Sequence, residues 1–278
     1  MLALTSKGRL LFQQGTRLCS TAGYQFLDVT TDSKKGYGIL EMKKGRVNSL
    51  SLEMITELNN AIDNLEKDKN CRGVVITSKV PVFSAGLDIL EMYQPKPDRL
   101  REFWISFQDL KYKLFSSSMV LIAAINGACP AGGCAIAFSC DYRLLSDGKH
   151  KMGLNETLLG LAAPLWLSNS MKLLVGHRQA EKLLSLGIMC PPTEALKVGM
   201  VDEVVKPDEL MNKSLAEMEK WLKIPDVGRI QTKVLTRRKF LQEFQDGRED
   251  DLNFFLQSIQ NPLLQEQLGH YLEALKKK

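Results

Sequence analysis

The chain has 278 residues, of which 44% are hydrophobic, 25% charged and 7% aromatic, and its formal net charge is +5. This composition is typical of a globular protein, and the length suits one large domain or a domain with an appendage. No apolar run reaches the roughly 18 residues that a membrane-spanning helix needs, so stable membrane insertion is not expected.

The first 27 residues differ from the rest because they contain no Asp or Glu. Lys7, Arg9 and Arg17 lie there among Ser, Thr and apolar residues, which is typical of a mitochondrial transit peptide. We predict a transit peptide over residues 1–27 and a mitochondrial matrix protein, the alternative being a disordered tail without an address. Without these three cations the net charge falls from +5 to +2, which argues against a nucleic-acid partner.

The six cysteines and three histidines form no metal-binding pattern. Zinc sites require close Cys or His pairs, and no CxxC pair is present, so no bound metal is expected. The cysteines at 129, 134 and 140 are expected to be small core residues. The sequence contains no GxGxxG motif and no Walker A loop, so no separate cofactor is expected. The absence of a GxSxG elbow argues against an α/β-hydrolase.

The first part of the chain predicts strands and helices in alternation. Residues 38–42 (GILEM) and 73–78 (GVVITS) are typical of short strands. Between them Ser51 is placed to cap a helix with apolar residues at helical spacing. A helical turn is predicted at residues 89–93, and an amphipathic helix from 99 to about 115.

A second buried strand is predicted at residues 119–125, followed by a helix of small residues at 132–140 and a strand at 142–145. After about residue 165 helices dominate, with one strand at 202–205 and breaks at Gly228 and Pro262. Strands that alternate with helices imply crossover connections, so we predict an α/β fold with a largely parallel sheet.

Two glycine-containing turns are the most informative feature, since each follows a predicted strand. They are residues 83–88 (FSAGLD) and 126–134 (NGACPAGGC). Backbone N–H groups at such turns can bind a developing negative charge, and two of them form an oxyanion hole. Glu156 follows among apolar neighbours, which raise a carboxyl pKa toward the range where base catalysis is efficient.

Together these parts resemble the crotonase (enoyl-CoA hydratase/isomerase) superfamily, most closely its mitochondrial Δ3,Δ2-enoyl-CoA isomerase branch, over about residues 35–275. Residues 84–88 (SAGLD) and 130–133 (PAGG) match that branch nearly residue for residue. The resemblance implies a ClpP-like α/β spiral of ββα units over residues 28–205. It also implies a C-terminal helical region over residues 206–278 that helps to build a homotrimer.

The resemblance further implies roles for individual residues. The backbone N–H groups of Ala85 and Gly132 would form the oxyanion hole, and Glu156 would be the catalytic base. The acyl-CoA substrate would contact residues of both turns and the residue before the base, namely Ser84, Ala85, Gly86, Leu87, Asp88, Gly132 and Asn155. Asp88 is also expected to cap the helical turn that begins near Ile89.

An absent residue predicts the reaction. The hydratases that the chain resembles hold two glutamates that together activate water, and Ala135 stands where the first would be. A single carboxylate can take a proton from C2 of a 3-enoyl thioester and return it at C4. We therefore predict an enzyme that isomerises 3-cis- and 3-trans-enoyl-CoA to 2-trans-enoyl-CoA in the β-oxidation of unsaturated fatty acids.

Several alternatives stay open at this level. Glu156 could be an exposed residue that caps a helix with Asn155, and the scaffold could hydrolyse or decarboxylate another acyl-CoA. A basic cluster could contact CoA phosphates, bind RNA as in some crotonase-like proteins, or be a solvated helix face; it comprises Lys233, Arg237, Arg238 and Lys239. Five aromatic residues could line the acyl pocket or fill the core: Phe103, Trp104, Phe107, Phe115 and Trp166.

Overall fold

A computed structural model describes residues 19–20 and 23–276 of the chain. The strands are β1 (Cys19–Ser20), β2 (Leu27–Asp32), β3 (Tyr37–Met42), β4 (Gly73–Ser78), β5 (Val120–Ile125), β6 (Cys129–Pro130), β7 (Tyr142–Ser146), β8 (Met152–Gly153) and β9 (Glu203–Val205). The helices are α1 (Leu52–Lys67), α2 (Pro97–Ser116), α3 (Gly132–Ala137), α4 (Leu165–Val175), α5 (His177–Ser185), α6 (Pro192–Val198), α7 (Leu210–Leu222), α8 (Asp226–Asp246), α9 (Arg248–Ile259) and α10 (Pro262–Lys276). Short 3₁₀ turns occupy Ile89–Glu91 and Glu156–Leu159.

The strands form a seven-stranded sheet in the order β1-β2-β3-β4-β5-β7-β9 and a two-stranded sheet of β6 and β8, within the described residues. The first three strands pair antiparallel, and every pairing from β3 onward is parallel. The helices between the parallel strands supply the crossovers that such pairing requires. The predicted α/β architecture with a largely parallel sheet is therefore confirmed.

The local sequence explains the central elements. Every residue of β4 and β5 is buried, as expected for parallel strands with both faces covered. Ser51 caps α1, where its Oγ accepts a hydrogen bond of 3.4 Å from the Met54 N–H. The apolar stripe of α1 then packs into the main core, so the predicted cap and the predicted helical face are both confirmed.

Two helical boundaries differ from the predictions. Gly228 was expected to be a break, yet it lies inside the first turn of α8, where a glycine is tolerated because the helix is only beginning. The helix of small residues ends at Ala137 rather than continuing to residue 140. Pro262 does begin a new helix, α10, as its fixed φ and missing N–H favour.

The predicted transit peptide, residues 1–27, lies mostly outside the described residues. Its last residues belong to the folded part, because the backbone N–H groups of Gln25 and Phe26 each donate a 2.8 Å hydrogen bond to Glu57 of α1. Leu27 is buried in the main core as the first residue of β2. The division at residue 27 stays a prediction, and the described fold includes several residues before it.

The C-terminal helices cover both faces of the sheet. Helix α7 packs against one face, where Leu210 and Met218 meet residues of β4, β5 and β7. Helices α8 and α9 pack on α2 at the other face, and α10 reaches the 3₁₀ turn at Glu156–Leu159. The described part of the region predicted as residues 206–278 is thus mainly helical, and α10 lies directly against the candidate site.

Within the described part of the chain, no helix is both long enough and apolar enough to cross a membrane. The described His, Cys, Asp and Glu side chains form no group of three or more that could hold a metal ion.

Candidate functional site

The topology brings the two predicted turns and Glu156 to one edge of the sheet. The turns follow β4 and β5, which are parallel neighbours, so their carboxyl ends lie side by side. Strand β6, inside the second turn, pairs with β8, the strand that precedes Glu156. The Ala131 N–H donates a 2.8 Å hydrogen bond to the Gly153 carbonyl, which ties the second turn to the segment carrying the glutamate.

The first turn is held by hydrogen bonds to the segment before α1. The Leu50 N–H donates to the Gly86 carbonyl at 2.8 Å, and the Asp88 N–H donates to the Leu50 carbonyl at 3.0 Å. The buried Asn48 side chain adds donation to the Phe83 carbonyl at 3.1 Å and to Ser78 Oγ at 2.7 Å. These contacts leave the turn little freedom.

Two predicted substrate contacts, Ser84 and Asp88, direct their side chains to the protein itself. Ser84 Oγ is buried, donates to the Asn48 carbonyl at 2.8 Å and accepts from the Gly86 N–H at 3.1 Å. Asp88 accepts from the Leu90 N–H at 3.1 Å, as the predicted cap, and from Ser49 Oγ at 2.9 Å. Both side chains shape the turn.

The second turn reaches the first through positions without side chains. A methyl group added at Gly132 would lie 3.1 Å from the Leu87 nitrogen, and one added at Gly86 would lie 3.2 Å from the Gly132 nitrogen. Gly86 also has a φ of +83°, which glycine adopts without strain. A side chain at either position would have to displace neighbouring atoms by a few tenths of an ångström, so glycine favours the close approach of the two turns at Leu87 and Gly132.

The structure corrects one predicted oxyanion donor. The Ala85 N–H already donates a 2.8 Å hydrogen bond to the Val47 carbonyl, so it is not available to a ligand. Among the described residues, neither the Leu87 N–H nor the Gly132 N–H has a protein acceptor. Leu87 and Gly132 both line the same cavity. The candidate oxyanion hole is therefore formed by the N–H groups of Leu87 and Gly132. Gly132 is the donor that was predicted, and Leu87 replaces Ala85.

Glu156 begins the 3₁₀ turn Glu156–Leu159 and lines this cavity. Its Oε2 atom has no contact with solvent and no hydrogen-bond partner among the described residues. Burial raises the pKa of Glu156 to about 7, while its own backbone N–H acts in the opposite direction. An enclosed carboxyl with a pKa near neutrality can accept a proton and give it back.

The cavity has a volume of about 130 Å³ and is mainly apolar. Of the predicted contacts, Ala85, Leu87, Gly132 and Asn155 lie on its wall. The Asn155 side chain does not cap the following turn, so the alternative of a capping pair with Glu156 is not supported. Glu156 is the one carboxylate among the described residues of this wall, and Ala135 is buried within α3.

The predicted basic cluster does not form one surface. The Lys233 ammonium and the Arg237 guanidinium pair with Asp141 at 2.8 and 2.7 Å, in the interior. Lys239 is 90% exposed and lies 3.8 Å from Glu243. Because half of the cluster is used inside the protein, neither a phosphate site nor an RNA surface across Arg237–Lys239 is supported.

The five aromatic residues that could line the acyl pocket or fill the core lie in three different places. Trp104 and Phe107 line the cavity, whereas Phe103 and Phe115 are buried in the core. Trp166 lines a separate, smaller cavity.

The sequence analysis missed cavity residues that are distant along the chain. Met92 precedes α2, and Phe255 and Tyr271 come from α9 and α10. No local motif marks them, and Phe255 and Tyr271 join the site only when the C-terminal helices fold back. Leu87 lies within the turn at residues 83–88 that the sequence identified. The sequence could not show that the Ala85 N–H is bonded to the Val47 carbonyl, so it could not identify Leu87 as the donor.

The geometry agrees with the comparisons with known proteins. A family model described as enoyl-CoA hydratase/isomerase matches residues 33–278. The chain belongs to the enoyl-CoA hydratase/isomerase family. The predicted crotonase resemblance is thereby confirmed.

Within this family, the chain is 43% identical to "Enoyl-CoA delta isomerase 1, mitochondrial" of Mus musculus, over 100% of this chain and 99% of the relative. The Homo sapiens protein of the same name is also 43% identical, over 91% of this chain and 85% of the relative. The crystal structure of human mitochondrial delta3-delta2-enoyl-CoA isomerase superposes with a TM-score of 0.89, covering 91% of this chain and 99% of that one.

An enoyl-CoA hydratase from Bacillus halodurans superposes with a TM-score of 0.81 at 21% identity, covering 88% of this chain and 99% of the other. This second likeness shows the shared fold alone.

Proposed function

We propose that this enzyme moves the double bond of 3-cis- and 3-trans-enoyl-CoA thioesters to the 2-trans position, in the β-oxidation of unsaturated fatty acids. The chain is an enoyl-CoA isomerase, since it is 43% identical over its full length to enoyl-CoA delta isomerase 1. The observation that carries the mechanism concerns the cavity wall: among the described residues, Glu156 is its one carboxyl, and the backbone N–H groups of Leu87 and Gly132 have no acceptor.

The first step is removal of a proton from C2 of the substrate. Glu156 accepts this proton, and the electron pair of the C–H bond moves toward the thioester, placing negative charge on the carbonyl oxygen. The N–H groups of Leu87 and Gly132 donate hydrogen bonds to that oxygen. Donors fixed in advance in this way stabilise the transition state, and loss of one typically costs about 3 kcal/mol.

The second step returns the same proton at C4. Glu156, now protonated, gives its proton to C4 as the double bond between C3 and C4 shifts to C2 and C3. Atoms and charge balance without water or a cofactor. The absence of a second wall carboxylate among the described residues supports isomerisation over hydration, because a water molecule has only Glu156 to hold it.

We further propose that the enzyme acts in the mitochondrial matrix and assembles as a homotrimer through its C-terminal helices. The names of the relatives support the mitochondrion, and the acid-free N-terminus supports import. The trimer follows from the family resemblance. Size-exclusion chromatography with light scattering would test it, and a monomer that is fully active would overturn it.

The experiment that tests the reaction follows formation of the conjugated 2-enoyl-CoA by ultraviolet absorbance, starting from 3-enoyl-CoA. Wild type should convert the substrate rapidly, and Glu156→Gln should lose about 10²–10⁴-fold in kcat, the usual contribution of general acid–base catalysis. Glu266→Gln, on helix α10, serves as the matched control and should retain wild-type activity.

Two further readouts in the same samples distinguish the alternatives. Hydration of the product is measured after each reaction, and free thiol is assayed to detect thioester hydrolysis. Faster hydration than isomerisation, release of thiol, or conversion that does not depend on Glu156 would each contradict the proposed one-carboxylate isomerase.

A further inference from the structure

We infer that Trp104 and Phe255 form the end wall that limits the length of the acyl chain, and that Asp251 is the residue that positions this wall. The inference rests on the proposed function, since it assigns the acyl chain of an enoyl-CoA to the apolar part of the cavity. It adds a chain-length limit and the residues that set it.

The wall joins two helices that are far apart in the sequence. Trp104 of α2 and Phe255 of α9 stack with ring centroids 3.6 Å apart and planes 8° apart, and both line the cavity. Phe107, one helical turn after Trp104, lies edge-on to it at 5.8 Å. Large rings that are packed face to face leave no room for a further methylene between them.

One carboxylate oxygen fixes the orientation of this ring cluster. Asp251 Oδ2 accepts hydrogen bonds from Trp104 Nε1 at 2.8 Å, from Gln108 Nε2 at 2.7 Å and from Trp166 Nε1 at 3.1 Å. Both indoles are thus held by a charge-assisted bond, which is stronger than one between neutral groups. Asp251 does not line the cavity, so it acts on the substrate only through the rings.

A second cavity adjoins the cluster at Trp166 and Asp251. It has a volume of about 40 Å³ and is lined by Trp166, Asp251 and Phe244, among others. The Trp166 ring contacts Phe107 at 5.4 Å and Trp104 at 6.3 Å. The ring cluster therefore separates the substrate cavity from additional apolar space. If the rings were removed or released, a longer acyl chain would gain room.

These contacts imply an enzyme whose efficiency rises with acyl-chain length until the chain meets the wall, and then falls. Each methylene added below the limit buries more apolar surface, and each one above it must displace a packed ring.

The test measures kcat/KM for a series of 3-enoyl-CoA substrates from six to sixteen carbons. In Phe255→Ala the optimum should move to longer chains, with a gain over wild type of up to about fourfold for each newly buried methylene. The matched control is Phe254→Ala, because Phe254 is the preceding residue of α9 and is 57% exposed. Its length profile should equal that of wild type.

The positioning role is tested with two variants of Asp251. Asp251→Asn keeps an acceptor oxygen and should keep the wild-type length profile, whereas Asp251→Leu releases both indoles and should broaden the profile toward longer chains. Thermal unfolding is recorded for each variant. A merely structural role would lower the melting temperature and reduce all rates by the same factor, without a change in profile.

The outcomes separate the two levels of the argument. If wild type isomerises the series and Phe255→Ala gives a profile parallel to it, the end wall is wrong while the isomerase stands. If wild type isomerises none of the substrates, the proposed function itself fails. If Asp251→Leu does not fold, the Phe255→Ala result decides the wall on its own.

Discussion

Glu156 and Asp141 are two enclosed carboxylates that the fold treats in opposite ways. The Asp141 side chain is 5% exposed, and it accepts hydrogen bonds from the Leu121 N–H at 2.8 Å, Lys233 at 2.8 Å and Arg237 at 2.7 Å. Among the described residues, no cation acts on the pKa of Glu156, and its Oε2 atom has no hydrogen-bond partner. Asp141 thus connects α8 to the sheet, whereas the carboxyl of Glu156 remains available to react with a substrate.

Backbone groups show the same division. The Ala85 N–H has its acceptor in Val47, whereas the N–H groups of Leu87 and Gly132 have none in the described protein. Buried polar groups normally find partners, so those without one are informative. Here three of them face one cavity. The comparison indicates that the polar groups on the wall of this cavity are available to a ligand, whereas the Asp141 side chain and the Ala85 N–H are used to maintain the fold.

The largest effect on stability is expected at Asp141. Asp141→Asn leaves Lys233 and Arg237 buried without a negative partner, and breaking a buried pair costs about 3–5 kcal/mol. Burial already lowers the pKa of Lys233 and of Arg237, with Asp141 acting in the opposite direction. Urea unfolding would measure the loss.

The control for this variant is Asp63→Asn. Asp63 pairs with Lys113 at 2.6 Å but is 41% exposed, so its loss should cost below about 1 kcal/mol. Equal losses for the two variants would break the comparison, because Asp141 would then be no more important to folding than a surface ion pair.

The second prediction concerns the oxyanion donors. Replacing Leu87 by its α-hydroxy acid changes one amide to an ester and removes only the N–H. We expect kcat to fall about 10²–10³-fold, the effect of losing one oxyanion donor. The same replacement at Ala85 should leave kcat near wild type and lower stability by about 1 kcal/mol, since it removes only a bond to Val47. A large loss of kcat at Ala85 with little change at Leu87 would instead identify Ala85 as the oxyanion donor, as the sequence predicted.

The third prediction is that Glu156→Gln changes how stability depends on pH. Burial raises the pKa of Glu156 from 4.5 to about 7, so the folded state holds a proton more tightly than the unfolded state. The stability from this group is fully present below pH 4.5 and is lost as the pH rises to about 7, by roughly 3 kcal/mol.

Glutamine has no proton to lose, so the variant should become more stable relative to wild type between pH 5 and pH 8. Equilibrium unfolding of both proteins at the two pH values would measure this. Parallel stabilities at both values would mean that the Glu156 carboxyl is solvated as an ordinary surface group is.

The smallest expected effect is on the pH dependence of activity. The base must be ionised, so kcat/KM should fall about tenfold for each pH unit below about 7 and be level above it. Rates from pH 5 to pH 9 would show this limb, with samples returned to pH 7.5 to confirm that activity is recovered. If kcat/KM stayed constant down to pH 5, the base would have an ordinary carboxyl pKa, which would contradict the raised pKa of Glu156.

Much of the fold and most of the site could be predicted from local patterns. The apolar runs of β4 and β5 and the capped helix α1 have short-range causes, so they were placed within a residue or two. The turns at residues 83–88 and 126–134 and the apolar surroundings of Glu156 were likewise visible in the sequence. Their order along the chain then indicated the family, which the family model and the relatives confirmed.

Tertiary structure alone decided which polar groups are free. Whether an N–H or a charge is available depends on what packs against it, as Val47 does at Ala85 and Asp141 does at Lys233 and Arg237. Those partners lie tens of residues away, so no local pattern reports them. For the same reason only the folded chain shows that α9 closes the cavity through Phe255. The sequence determined which catalytic groups the chain contains, and long-range contacts decided which of them remain available to the substrate.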